Sequence, residues 1–308
     1  MTNWRVLGRR VRWHVKRAFD AASGSLFIVI LKAVRHVDRL RISDAFARVA
    51  RTVGPWLPEH RLGRANLAAA FPDKTPDEIE RILLGVWDNL GRVGAEFAHL
   101  DRLLIGDPYN LPYFEFDSVT AERYSRIRDS GKPALFFAAH LANWELPAIV
   151  AHTWGLDALT LYRRPNVGAI ADAVIAIRHG SMGTLVPTES NAPIRLARAL
   201  EDNRHVAMLV DQHYGKGVEV TFFGRRCLSN PLLATLARHV ECPIHGTRII
   251  RLPGGRFRGE VSEEIPPVRD ADGRIDVQGT TQAITSVVEG WVREHPEQWL
   301  WLHRRWRA

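Results

Sequence analysis

The 308 residues are 46% apolar and 25% charged, the balance of a chain with a packed core, which argues against disorder, collagen or coiled coil as a description of the whole. The net charge of +8 sits in the first 41 residues, where ten basic side chains meet two acidic ones; the remainder holds 32 of each sign. A neutral body argues against nucleic acid, whose binding needs many phosphate contacts, and Cys227 and Cys242, without CxxC spacing, suggest neither a disulfide framework nor a zinc site.

In the leader, Arg5, Arg9, Arg10, Arg12, Lys16 and Arg17 precede the uncharged run Ala21–Leu31. That run is about half of the roughly 20 residues a spanning helix needs. Lys32 and Arg35 occupy the place where a secretory signal carries small residues. The pattern predicts a basic, aromatic-tipped helix lying in a membrane interface, its arginines facing anionic headgroups. Trp301, Arg304, Arg305, Trp306 and Arg307 read as a second interfacial contact. The expected division is an anchoring leader, 1–41, and a body, 42–308.

Helical periodicity covers Ile42–Val53, breaks at Gly54-Pro55-Trp56-Leu57-Pro58, and resumes at Arg61–Ala70. A further helix starts at Thr75-Pro76-Asp77-Glu78, where a cap, a proline and first-turn acids coincide, and continues through Val93. From Gly131 strands and helices alternate. Strands are predicted at Ala134–Ala139, Ala158–Tyr162, His205–Val210, Ile244–Leu252 and Phe257–Glu264, the last two joined by Pro253-Gly254-Gly255. Helices fall at Asn143–Trp154, Gly168–His179, Pro193–Glu201, Pro231–Val240 and Val277–Glu294. This alternation specifies an α/β fold with a mostly parallel central sheet flanked by helices.

In such sheets chemistry gathers at the carboxyl ends of the strands. Three groups stand there: His140, Tyr162-Arg163-Arg164, and Asp211-Gln212. In His140-Leu141-Ala142-Asn143-Trp144-Glu145, one continuous helix would set His140 and Glu145 roughly 140° apart. If His140 ends the strand and Asn143 caps the next helix, Glu145 folds back on the imidazole and orients it as a general base. Ser181 and Cys227 lack the context of a nucleophile elbow, so the dyad suits activation of a substrate hydroxyl.

The His140–Glu145 string resembles the signature of the late lipid A acyltransferases, the lauroyl and myristoyl transferases of the His-x4-Asp/Glu glycerolipid acyltransferase superfamily. Four further blocks resemble that family in order and spacing: Arg64-Ala65-Asn66-Leu67 with Ala70-Phe71-Pro72; Tyr162-Arg163-Arg164-Pro165-Asn166 with Arg178; Asp211-Gln212 with Phe222-Phe223-Gly224; and Pro296 to Arg305. The resemblance implies a glycerolipid acyltransferase-like fold. It also implies transfer of a fatty acyl chain from acyl carrier protein to a hydroxyl on a hydroxyacyl chain of a lipid A precursor, at the cytoplasmic face of the inner membrane. His140 and Glu145 would be catalytic; Arg164, Arg178 and Asp211 would bind substrate, with Arg178 meeting a substrate phosphate or the developing oxyanion and Asp211 supporting Arg178 or Arg164, or serving as a helix N-cap or structural salt bridge. No metal and no cofactor beyond the acyl donor is implied; the partners are acyl carrier protein, a glycolipid acceptor and the membrane surface. The chain departs from the family at Leu141-Ala142, where relatives often carry an aromatic and a glycine, which suggests a reshaped acyl pocket. Two alternatives stand beside this: acylation of another glycolipid or aminolipid, such as a mannosylated phosphoinositide, and a non-enzymatic basic peripheral membrane protein.

Overall fold

Among the helices that precede the sheet are α1 (Arg39–Val53), α2 (Pro58–Ala70) and α3 (Pro76–Glu96). The start of α3 is a reciprocal capping box. The Thr75 hydroxyl accepts from the Glu78 N–H (3.3 Å), and the Glu78 carboxylate accepts from the Thr75 N–H (2.8 Å). The structure is a computed structural model and describes residues 28–103, 111–164 and 168–307. Most of the predicted membrane leader therefore lies outside the described residues. Among those described, no helix is long and apolar enough to cross a membrane.

The body alternates as the sequence specifies: β1 (Phe114–Glu115), α4 (Ser118–Asp129), β2 (Leu135–Ala138), α5 (Leu146–Thr153), β3 (Ala158–Tyr162), α6 (Gly168–His179), β4 (Thr184–Pro187), α7 (Ala192–Glu201) and β5 (His205–Leu209). A two-stranded hairpin, β6 (Val218–Phe222) and β7 (Arg225–Ser229), follows; then come α8 (Leu232–His239), β8 (Ile244–Leu252), β9 (Arg256–Glu264) and α9 (Val277–Glu294). Seven strands form one sheet in the order β1-β9-β8-β2-β5-β3-β4, all pairs parallel except β8–β9. β1, β4, α4 and the β6–β7 hairpin are elements that periodicity did not reveal. The hairpin turns through Phe223 (φ 53°) and Gly224 (φ 67°), two consecutive left-handed residues that give the twist a tight hairpin needs without the usual Asn-Gly signal.

Alternation along the strands sends side chains to two cores. Leu135 and Phe137 of β2, Val206 and Met208 of β5 and Leu159 of β3 join a large core with α7, α8, α9 and the C-terminal tryptophans. Phe136 of β2, Ala158 of β3 and Ile249 of β8 face a second core under α4 and α5. The predicted two-sided covering of the sheet is observed.

Candidate active site

Parallel pairing of β2 with β5 aligns Ala138 with Leu209. Two residues beyond that register the chain carries His140 and Asp211, so the sheet delivers both to the same place. Asp211 Oδ1 accepts from His140 Nδ1 at 2.8 Å, and Oδ2 accepts from the His140 backbone N–H at 2.8 Å and from the Trp299 indole N–H at 2.8 Å. Burial alone would push the Asp211 carboxyl up. The charge and hydrogen bonds of His140 outweigh it and hold the group well below the usual carboxylate range. With Asp211 ionised, Nδ1 carries the proton and Nε2 presents its lone pair. Gln212 meets that lone pair: its Nε2 lies 3.2 Å from His140 Nε2.

The expected orienter was Glu145, and the structure gives a different partner. No helix begins at Asn143; α5 begins at Leu146, with Glu145 at its N-cap position. The Glu145 carboxylate pairs with both sides of the Arg178 fork, Nε to Oε2 at 2.9 Å and Nη2 to Oε1. Both side chains are largely buried, 8% exposed for Glu145 and 17% for Arg178. A bidentate pair withdrawn from water this far is costly to break from either side. Asp211 thus supports His140 rather than Arg178 or Arg164, and Glu145 anchors Arg178. Sequence spacing favoured Glu145 because it is near in the chain; Asp211 is 71 residues away.

The loop between β2 and α5 is held by a buried polar network that sequence reasoning missed. Asn143 donates to Glu96 (2.9 Å), which pairs with Arg251 (Nη2 to Oε2, 3.0 Å), and Arg251 Nε donates to Asn89 (2.8 Å). The Asn89 amide donates to the carbonyls of Ala142 (3.1 Å) and Gln298 (3.2 Å). Ala142 itself has φ 47°, a left-handed conformation that costs an L-residue about 1–2 kcal/mol and glycine little. A glycine would adopt this conformation at little cost. Leu141 and Ala142 do not line the cavity beside His140; Leu141 packs into the core and bridges to Trp299. The suggested reshaping of the acyl pocket by these two residues is therefore not supported.

The C-terminal segment, expected at the membrane interface, is a clamp on this loop. Trp301 is 0% and Arg305 1% exposed. The Leu300 N–H donates to the His140 carbonyl (3.1 Å), and the Ala142 N–H donates to the Gln298 carbonyl (2.8 Å). Arg305 donates to the carbonyls of Gln212 (3.3 Å) and Leu228 (2.8 Å) and to Ser229 Oγ. Asn66 of α2 donates to the carbonyls of Trp301 and His303, both at 3.0 Å. Phe71, Phe222, Phe223, Trp299, Trp301 and Trp306 stack into one aromatic cluster, with Trp299 and Trp301 centroids 4.7 Å apart. Motif blocks distant in sequence are one buttress whose end product is the Trp299–Asp211–His140 chain.

His140, Trp144, Glu145, Arg163, Arg164, Arg178 and Gln212 line one cavity of about 980 Å³. Arg163 and Arg164 are exposed at the end of β3. Inward from His140 the cavity runs under α5 along the second-core face, where Ala138, Ala148, Ala151, Ala158, Thr160 and Ala207 leave space. The sequence shows each of these small residues, but not that they share a face. Among the described residues, no serine or cysteine lines the cavity.

A family model described as bacterial lipid A biosynthesis acyltransferase matches residues 12–308. No curated protein matches the chain.

Proposed function

The chain belongs to the bacterial lipid A biosynthesis acyltransferase family, and from that premise we propose that it transfers a fatty acyl chain from acyl carrier protein to a hydroxyl of a hydroxyacyl chain on a lipid A precursor. The observation that carries this reading is the His140–Asp211 pair beside a largely apolar cavity that, among the described residues, no serine or cysteine lines. His140 Nε2 removes the acceptor hydroxyl proton as the oxygen attacks the thioester carbonyl, and Asp211 holds the tautomer and offsets the imidazolium charge. The Glu145–Arg178 pair shapes the wall of the site, and Arg163 and Arg164 at the rim suit an anionic substrate group. The space under α5 accommodates the donor chain away from water. No cofactor is needed, because the thioester supplies the activated acyl group.

The 1–41 leader serves as the anchor that brings the 42–308 body to an insoluble acceptor at the cytoplasmic face of the inner membrane. Exposed Val29 and Ile30, 61% and 42% accessible, sit where that leader joins the body and support this placement.

Purified full-length protein, given dodecanoyl-acyl carrier protein and a lipid A precursor in mixed micelles, should yield an acceptor heavier by one acyl chain in mass spectrometry. A rim-docked acidic carrier also predicts a rate that falls steeply as salt rises past about 0.15 M, where the Debye length is about 8 Å. Equal rates with acyl-coenzyme A and no salt effect would remove the carrier protein from the proposal. Acylation of a mannosylated phosphoinositide but not of the lipid A precursor would replace the acceptor.

A further inference from the structure

Among the described residues, Gln212 is the group whose polar side chain meets the working nitrogen of His140. The Asp211 carboxylate accepts from Nδ1, so Nε2 is an acceptor and the Gln212 amide nitrogen, 3.2 Å away, donates to it. This bond occupies the lone pair that must take a proton. The Gln212 backbone is pinned by Arg305 through its carbonyl, whereas its side chain is exposed in the cavity. The amide is therefore free to move while its Cα is not.

The reaction needs a hydrogen-bond donor for the negative charge that develops on the thioester oxygen. Arg178 lines the same cavity, but its Nε and Nη2 are paired with Glu145, which ties its fork to the wall and offsets its charge. We propose that Gln212 is a catalytic residue with two successive partners: it caps the lone pair of His140 before the acceptor binds, then donates to the thioester oxyanion once the acceptor hydroxyl has displaced it. The proposal rests on the acyl-transfer reading above. In the step, Nε2 takes the hydroxyl proton, the hydroxyl oxygen forms the new C–O bond, and the carbonyl π pair moves onto oxygen beside the Gln212 N–H. Collapse restores C=O and breaks C–S, and the departing thiolate takes the proton from the imidazolium. An amide within reach of the base nitrogen needs only a small swing to meet an oxygen bonded to the carbon under attack.

The test compares full-length wild type with Gln212→Ala and Gln212→Glu, using dodecanoyl-acyl carrier protein with the lipid A precursor, and the same thioester with water alone. Loss of one oxyanion donor predicts a kcat lower by about 10²–10³-fold, with acceptor KM no higher, since nothing then competes for Nε2. Thioester hydrolysis by water should fall in parallel because it passes through the same oxyanion. Gln212→Glu, which keeps the shape but loses the donor, should be no better than Gln212→Ala. Unchanged melting temperatures are expected, because the Arg305 bond is to the main chain; a variant that melts early is replaced by Gln212→Met. A kcat within twofold of wild type overturns the proposal, as does a raised KM with unchanged kcat, which would mark a ground-state contact. A wild type that acylates neither lipid nor water overturns the acyl-transfer reading itself.

Discussion

The two faces of the central sheet follow opposite packing rules although their strands are the same. On one face Phe137 stacks on Trp291 at 5.4 Å, and Gly246 beside them has no room for a side chain: a Cβ there would stand 2.7 Å from Trp291. On the other face Ala138, Ala158, Thr160 and Ala207 leave a cavity that reaches from His140 under α5. The first face carries stability through dense contact. The second gives some of that up for open space beside His140. Since adjacent residues of one strand serve both faces, a single-residue change can be aimed at one without the other.

The sharpest break is at the junction of the two faces. His140→Ala should lower transfer by about 10²–10⁴-fold, the range for loss of a general base, while circular dichroism and melting stay close to wild type. Asp211→Asn should cost less than His140→Ala in rate, because it removes an orienter; near-wild-type turnover in His140→Ala would end the mechanism. Next come the faces themselves. Leu135→Ala, in the dense core and away from the cavity, should destabilise the protein by about 2–5 kcal/mol, measured by denaturant unfolding. Ala207→Leu should leave stability nearly unchanged and shift donor preference to shorter acyl chains. An equal stability loss in both would mean that the cavity face is as densely packed as its opposite.

A smaller effect concerns pH. Burial lowers the ordinary values of His205, His245 and His303, so the native state holds these rings neutral where the unfolded chain would protonate them. Their contribution is complete above the unfolded value of about 6.5 and is lost as pH falls below it. Melting temperature should therefore drop between pH 7 and pH 5, and His205→Gln should flatten that slope. The smallest effect is expected at Ala142: relief of its left-handed φ by Ala142→Gly should stabilise by less than about 1 kcal/mol, because glycine's greater unfolded-state freedom offsets part of the gain.

Much of the fold was legible locally. Apolar runs bounded by helices located β2, β3, β5, β8 and β9, and the cap, proline and first-turn acids at Thr75–Glu78 marked α3. His140 and Asp211 were visible as polar residues ending apolar strands. Their pairing was not, because it depends on β5 inserting between β2 and β3 in the sheet, a consequence of packing with no local trace. Glu145 was drawn to His140 for the opposite reason: proximity in sequence is easy to see, whereas the fork of Arg178 across the cavity is not.

The C-terminal string shows the same limit from the side of composition. Trp301, Arg305 and Trp306 have the residue types of an interfacial anchor, and the structure buries the first two completely or nearly so. An arginine is read as exposed until buried carbonyls and a serine are found to meet its terminal nitrogens, and those partners come from the loop after β5 and from β7.

The residues by themselves determined the α/β class, the order of most elements, the positions of His140 and Asp211, and the charge of the leader, because hydrophobic period, caps and charge are local properties of the chain. Tertiary structure alone decided that Asp211 orients His140, that Glu145 and Arg178 hold each other, that the C-terminus clamps the site, and that scattered small residues open one cavity. Each of these depends on which strands become neighbours, and strand order is set by burial of the whole core rather than by any segment of it.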